Sequence, residues 1–229
     1  CYCIRKRLPQ NTRLVIFFVR VARAAGQKSL TAQAPHATVA TQASAATSLT
    51  VSGVRMAYSI SPVTAYVGLG SNLGDGAVRL AAAREAVAAF IGLRPGAASS
   101  LYRTEPQGFR DQPFFTNQVL QLHCDPALRP DALLDRLLKA ESALGRVREG
   151  VARFGPRTVD LDLLLFGNEV MNSQRLTLPH PRMLERAFVL VPLAEIAPDL
   201  RLPQGTSVRS ALGRLPYRLE GDVIYQAER

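Results

Sequence analysis

Cysteine is scarce in this 229-residue chain, which has only Cys1, Cys3 and Cys124. An odd set with two members at the extreme terminus builds neither a disulfide framework nor a zinc site, and it points to a reducing, cytoplasmic setting. No apolar run approaches the ~18–20 residues of a membrane span; "LVIFFV" is six long, so no membrane association is expected. Acidic residues are missing until Asp75. Residues 1–55 carry eight Lys or Arg, so most of the formal charge of +10 sits there. Residues 56–229 hold the other 20 basic and all 18 acidic residues and carry only +2, which argues against nucleic acid as a partner of the folded part.

Nucleotide-binding loops of the familiar kinds are also absent. There is no G-x-x-x-x-G-K-[ST], and "GLGSNLG" spaces its glycines as G-x-G-x-x-x-G, one residue away from the dinucleotide fingerprint. Any nucleotide would have to be held by metal, arginines and backbone.

Two parts are expected. Residues 1–55 are rich in Ala, Ser, Thr and Arg and near low complexity, and no Met precedes Met56. They read as an unfolded, non-native leader, with an organellar transit peptide as the alternative. Residues 56–229 read as one domain. "TAYVGLG" is a strand and "SNLGD" turn and cap chemistry. Residues 77–91 form a helix with Val78, Ala82, Glu85 and Ala89 spaced around it. "AASSLYRT" and "FFTNQVLQLHC" are strands. "PDALLDRLLKAESALG" is a helix, with Pro130 suited to its first turn and Gly145 to its end. "TVDLDLLLF" is a fourth strand, and "ERAFVLVPLAEIAPDL" is helical, broken or ended by Pro192 and Pro198. The order β-α-β-β-α-β plus a helical C-terminal portion predicts a ferredoxin-like α+β fold, an antiparallel sheet with helices on one face.

The chemistry centres on "RFGPRTVDLDLLLFG". In a strand, residues i and i+2 share a face, so Asp160 and Asp162 point one way while Val159, Leu161, Leu163 and Leu165 enter the core. The two Cα atoms should lie ~6.6–6.8 Å apart. Paired carboxylates at a partly buried position repel unless cations sit between them, and Mg²⁺ binds through one or two carboxylates plus substrate phosphates. Ion pairs with Arg153 or Arg157 are the alternative. Arg146, Arg148, Arg153 and Arg157 fall within 12 residues that hold one Glu, a cluster suited to phosphate oxygens.

The stretches "AYVGLGSNLGD", "SSLYRTEPQGFRDQPFFTNQVL", "GRVREGVARFGPRTVDLDLLLFGNEV" and "LTLPHPRMLERAFVLVPLAEIAPDL" resemble the 6-hydroxymethyl-7,8-dihydropterin pyrophosphokinase family of folate biosynthesis. The resemblance runs from about Ala65 to Leu200. It implies a ferredoxin-like fold, ATP as co-substrate, two Mg²⁺ ions, and pyrophosphoryl transfer to the pterin's hydroxymethyl oxygen with release of AMP. By the same resemblance Asp160 and Asp162 hold the metals, and Arg146 and Arg157 are catalytic. Glu141, Arg148, Leu163, Arg175, Thr177, His180 and Arg186 bind ATP. Thr104, Phe115, Asn117, Phe154, Asp160 and Phe188 bind the pterin, with Phe115 and Phe188 sandwiching the ring.

Gly145, Gly150 and Gly155 would let the arginine loop close over the site. Glu105 and Gln107 stand where some members carry Pro and Leu, Phe154 where some have Trp, and Pro181 where a Tyr can occur. About 30 residues follow Leu200, too few for another catalytic domain, so a monofunctional enzyme is expected; a monomer acting on small molecules is expected as well. Two rival readings are a different two-metal phosphotransferase or nuclease using the aspartate pair, and a non-catalytic nucleic-acid binder on the same scaffold.

Overall fold

The computed structural model of the chain describes residues 47–51, 54–58, 61–107, 110–146 and 155–226. A two-stranded antiparallel hairpin, β1 (Thr47–Val51) and β2 (Val54–Tyr58), spans the expected boundary at Met56; the expected leader before residue 47 lies outside the described residues. The domain then runs β3 (Val63–Ser71), α1 (Gly76–Ala88), β4 (Leu93–Ala98), β5 (Tyr102–Thr104), β6 (Phe115–Cys124), α2 (Pro130–Ala143) and β7 (Asp160–Phe166). A short pair follows, β8 (Met171–Asn172) with β9 (Thr177–Leu178). After it come α3 (Ala187–Ile196), α4 (Val208–Leu212) and a hairpin of β10 (Tyr217–Glu220) and β11 (Val223–Gln226).

Local chemistry explains the element ends. Asp75 caps α1 by accepting from the Val78 N–H at 3.1 Å. Pro130 opens α2, where its missing N–H costs nothing. Gly145, at φ +82°, takes the left-handed conformation just past the end of α2. The stripe that α1 buries is Leu80, Ala83 and Val87, whereas Val78 is 63% exposed.

Among the described residues the main sheet has seven strands in the order β10-β11-β5-β6-β3-β7, with β4 also on β6. All pairings are antiparallel except β11 with β5. The expected β-α-β-β-α-β core is present, with four differences. The second strand is split into β4 and β5. Ser99 breaks it by giving its carbonyl to Gln118 Nε2 at 2.6 Å and its Oγ to the Val119 N–H at 3.0 Å. The C-terminal portion is not only helical, because β10 and β11 extend the sheet beyond β5. Pro192 does not break α3, which runs through it.

The fourth difference is the covering of both sheet faces. On one face Leu80, Leu133 and Leu137 from α1 and α2 pack on Val67, Leu120 and Leu161. On the other, Leu190 and Leu193 of α3 and Val208 of α4 pack on Tyr66, Val119 and Leu165. Leu165 was expected beside Leu161 and Leu163, but it faces α3. The reason is a bulge: Tyr66 pairs with Leu165 while the next residue, Val67, pairs with Leu163. The extra residue, Leu164, reverses the alternation, so Phe166 instead joins the first core.

Candidate active site

The sheet places the key side chains in one row. Gly70 of β3 pairs with Asn117 of β6 on one side and with Asp160 of β7 on the other. Gly68 pairs with Asp162. Directly paired residues share a face, so Asn117, Asp160 and Asp162 stand over a floor made of glycines. A Cβ at Gly70 would lie 3.3 Å from Asn117 Oδ1 and 3.9 Å from Asp160 Cβ, so the missing side chain keeps the floor low.

A cavity of about 980 Å³ opens above this floor. Every expected site residue among the described ones lines it. Thr104, Phe115 and Asn117 form one end, where Asn117 Nδ2 donates to Thr104 Oγ1 at 2.8 Å. Leu163, Arg175 and Thr177 lie at the other, with Arg175 Nη2 2.6 Å from Asp135 Oδ1 of α2 and the Thr177 hydroxyl donating to Asn172 Oδ1 at 3.0 Å. Glu141, buried in α2, accepts from the Leu161 N–H at 2.8 Å and so ties α2 to β7. His180, Arg186 and Phe188 form the wall contributed by the entry to α3. Arg148, Arg153, Phe154 and Gly150 lie outside the described residues.

Arg146 and Arg157 converge on Asp160. Arg146 Nη1 is 2.6 Å from Asp160 Oδ1 and also donates to the Val159 carbonyl at 2.7 Å. Arg157 Nη1 donates to Asp160 Oδ2, and its guanidinium stands 5.6 Å from the Phe115 ring centre. The ion pair raised as an alternative at the sequence level is therefore present for Asp160, with Arg146 joining Arg157. Asp162 differs. It has no hydrogen-bond or ion-pair partner among the described residues. Burial, and then the neighbouring Asp160 carboxylate, push its pKa up to about 6, against the pull of Arg186.

His180 is shifted the other way, down to about 4, by burial and then by Arg186. Its Nδ1 accepts from the Arg182 N–H at 3.2 Å, so the neutral ring carries its proton on Nε2. Arg186 stacks 5.4 Å from the Phe188 ring centre, and its buried Nε has no hydrogen-bond partner among the described residues.

Asp160 and Asp162 fit a hard divalent cation. Asp162 is a partly buried carboxylate whose pKa stays raised by desolvation and by Asp160 despite the pull of Arg186 and Arg157, and a cation would relieve that cost. Among the described residues no group of three or more His, Cys, Asp or Glu clusters, so such an ion would complete its shell with oxygens of a ligand or water.

Several lining residues escaped the sequence reading. Gly68 and Gly70 carried a usable signal, since two glycines at i and i+2 of a strand clear one face. Asn72, which does not line the cavity, was read only as turn chemistry. Its amide donates to Gln112 Oε1 at 2.9 Å and to the Pro113 carbonyl at 3.3 Å, and its Oδ1 accepts from the Arg157 N–H at 2.8 Å, joining two loops. Arg182 and Gln226 also line the cavity, and no local pattern marks Gln226.

Two carboxylates and two guanidiniums facing one cavity that also carries the Phe115 and Phe188 rings form a set suited to phosphoryl transfer. Residues 66–198 match the model of the 7,8-dihydro-6-hydroxymethylpterin-pyrophosphokinase (HPPK) family, and the chain belongs to that family. It is 51% identical over 151 residues to the 2-amino-4-hydroxy-6-hydroxymethyldihydropteridine pyrophosphokinase of Methylorubrum extorquens, covering 66% of this chain and 92% of the relative. Against the enzyme of the same name from Pseudomonas aeruginosa the identity is 47%, covering 66% of this chain and 91% of the relative. The crystal structure of wild-type Plasmodium falciparum HPPK-DHPS shares the fold, with a TM-score of 0.52 at 12% identity over 67% of this chain. The chain spans only 44% of that longer one. Among the described residues no helix is long and apolar enough to cross a membrane.

Proposed function

We propose that this chain transfers a pyrophosphoryl group from ATP to the hydroxymethyl oxygen of 6-hydroxymethyl-7,8-dihydropterin, releasing AMP. One observation carries the reading: a single cavity gathers the aspartate pair, two arginines and an aromatic, amide-bearing end, within the stretch that matches the family.

The pterin hydroxyl oxygen attacks the β-phosphorus and its proton passes to solvent. The bond from that phosphorus to the oxygen bridging the α-phosphate breaks, and AMP leaves with the electron pair. Little covalent work falls to the protein, so positioning and charge stabilisation carry the rate. Phe115 and Phe188 hold the ring by its faces, while Asn117 and Thr104 hydrogen-bond its edge. Asn117 Nδ2 already donates to Thr104, which leaves the Asn117 carbonyl oxygen to accept from the pterin.

Asp160 and Asp162 would hold two Mg²⁺ ions, which when bound neutralise charge on the polyphosphate oxygens. Arg146 and Arg157, both brought to Asp160, offer planar forks for the phosphate oxygens. Glu141, Leu163, Arg175, Thr177, His180 and Arg186 line the nucleotide's part of the cavity. We assign Arg148 and Phe154 to the loop that closes over the bound substrates and excludes water. The enzyme works as a monomer in the cytoplasm, on small molecules, and residues 56–229 form its catalytic domain.

The test is AMP release from ATP with and without 6-hydroxymethyl-7,8-dihydropterin. Release should require the pterin, and Asp162→Ala should abolish it. Pterin-independent AMP formation would point to the rival two-metal chemistry. Arg146→Ala or Arg157→Ala should lower kcat more than it raises KM, because their contacts strengthen as charge develops. A change confined to KM in both variants would remove them from the catalytic role.

A further inference from the structure

Gln226 lies beyond residue 198, where the family match ends, yet it reaches the wall of the cavity. Its Oε1 accepts from the Ala187 N–H at 2.7 Å, and its Nε2 donates to the Glu185 carbonyl at 2.7 Å. One planar carboxamide therefore grips the backbone on both sides of Arg186.

The gripped residue sits at a junction. Arg186 has extended dihedrals, φ −116° and ψ 109°, between a 3-10 turn (Met183–Glu185) and α3, and α3 has no side-chain cap of its own. Such a junction leaves two soft torsions to aim the side chain. Gln226 anchors the peptide groups that flank both. Held this way, Arg186 runs into the cavity, stacks on Phe188 and faces Asp162 closely enough to oppose the rise in its pKa.

The carrier of Gln226 is itself well held. β11 pairs with β5 so that Ile224 stands opposite Thr104, and the Arg103 N–H donates to the Asp222 carbonyl at 2.8 Å. Ile224, 2% exposed, packs with Ala187 and Val191 of α3. The C-terminal hairpin thus bridges Thr104 at one end of the cavity and Arg186 at another.

We propose that Gln226 is a positioning residue for the transfer reaction, aiming Arg186 into the cavity through its two backbone hydrogen bonds. This rests on the reading of Arg186 as an ATP-binding residue. A glutamine that only stabilised α3 would affect unfolding; one that aims Arg186 must also couple to it.

The experiment uses the full chain and compares Gln226→Met, which keeps the length but loses both bonds, with Gln226→Glu, which keeps the acceptor and loses the donor. Each is measured for kcat and KM, alone and combined with Arg186→Met, with thermal unfolding monitored alongside. Removing two bonds that orient one residue should raise the KM for ATP about tenfold and change kcat less than about threefold. In the Arg186→Met background the same substitution should cost less than about twofold, because the residue it aims is gone. Gln226→Glu should fall between native and Gln226→Met, and it serves alone if Gln226→Met fails to fold. An equal loss in both backgrounds, or no loss in a folded variant, overturns the positioning role. If Arg186→Met by itself changes neither constant, the assignment of Arg186 fails first and the positioning role with it.

Discussion

Asp162→Asn should abolish activity and yet stabilise the protein in the absence of divalent ions. Burial, aided by the Asp160 carboxylate, raises the Asp162 pKa from its ordinary 3.8 to about 6. Between those values the folded state keeps a proton that the unfolded chain releases. The stability that goes with this proton is complete below pH 3.8 and drains away as pH rises through 6. At ~1.4 kcal/mol per pH unit, ionising Asp162 in place costs up to about 3 kcal/mol at neutral pH. Asparagine has nearly the same shape and no charge, so it escapes that cost.

For a chain of this size each kcal/mol moves the midpoint by about 3 °C, which sets a ceiling of about 9 °C. The measurement is thermal or urea unfolding in EDTA at pH 4 and pH 7.5. The gain should be near zero at the acid end and largest at pH 7.5. Adding Mg²⁺ with a nonhydrolysable ATP analogue should stabilise the native chain more than the variant, because only the native pair binds fully. A variant no more stable than the native chain at pH 7.5 in EDTA would refute the idea that ionised Asp162 is held at a net cost by desolvation and Asp160.

His180 should show the opposite pH dependence. Its pKa is lowered from 6.5 to about 4, so the unfolded chain takes up its proton first as the solution is acidified, and stability present above pH 6.5 is lost as pH falls through 4. His180→Gln should flatten that acid-side loss in unfolding curves taken between pH 7 and 4, and an unchanged slope would contradict the burial of a neutral ring. Gly70→Ala would bring a Cβ within 3.3 Å of Asn117 Oδ1. The displaced amide should raise the pterin KM about three- to tenfold with the fold intact, as expected for mild overpacking. Unchanged kinetics in that variant would mean the glycine floor does not set the pterin's seat.

Much of the site was legible because it is local. The D-x-D spacing in β7 puts both carboxylates on one face by the pleat alone, and Pro130 and Gly145 bracket α2 by their own backbone preferences. Other features depend on partners far along the chain. The bulge at Leu164 is a mismatch between β7 and β3, so no pattern within "DLDLLLF" reveals that Leu165 turns toward α3. The break at Ser99 depends on Gln118 and Val119 of the neighbouring strand. The capture of Asp160 by both Arg146 and Arg157 needs the two ends of one loop brought together.

Sequence by itself determined which groups could act here: two carboxylates on a common strand face, a dense set of guanidiniums, aromatics bracketing an amide, and the elements that carry them. Only the tertiary structure decided that Asp160 rather than Asp162 is the carboxylate paired with the arginines, and that a carboxamide from the last strand grips the backbone around Arg186. Side-chain direction along a strand follows from the chain's own geometry, whereas burial and pairing are properties of whatever the rest of the fold packs against it.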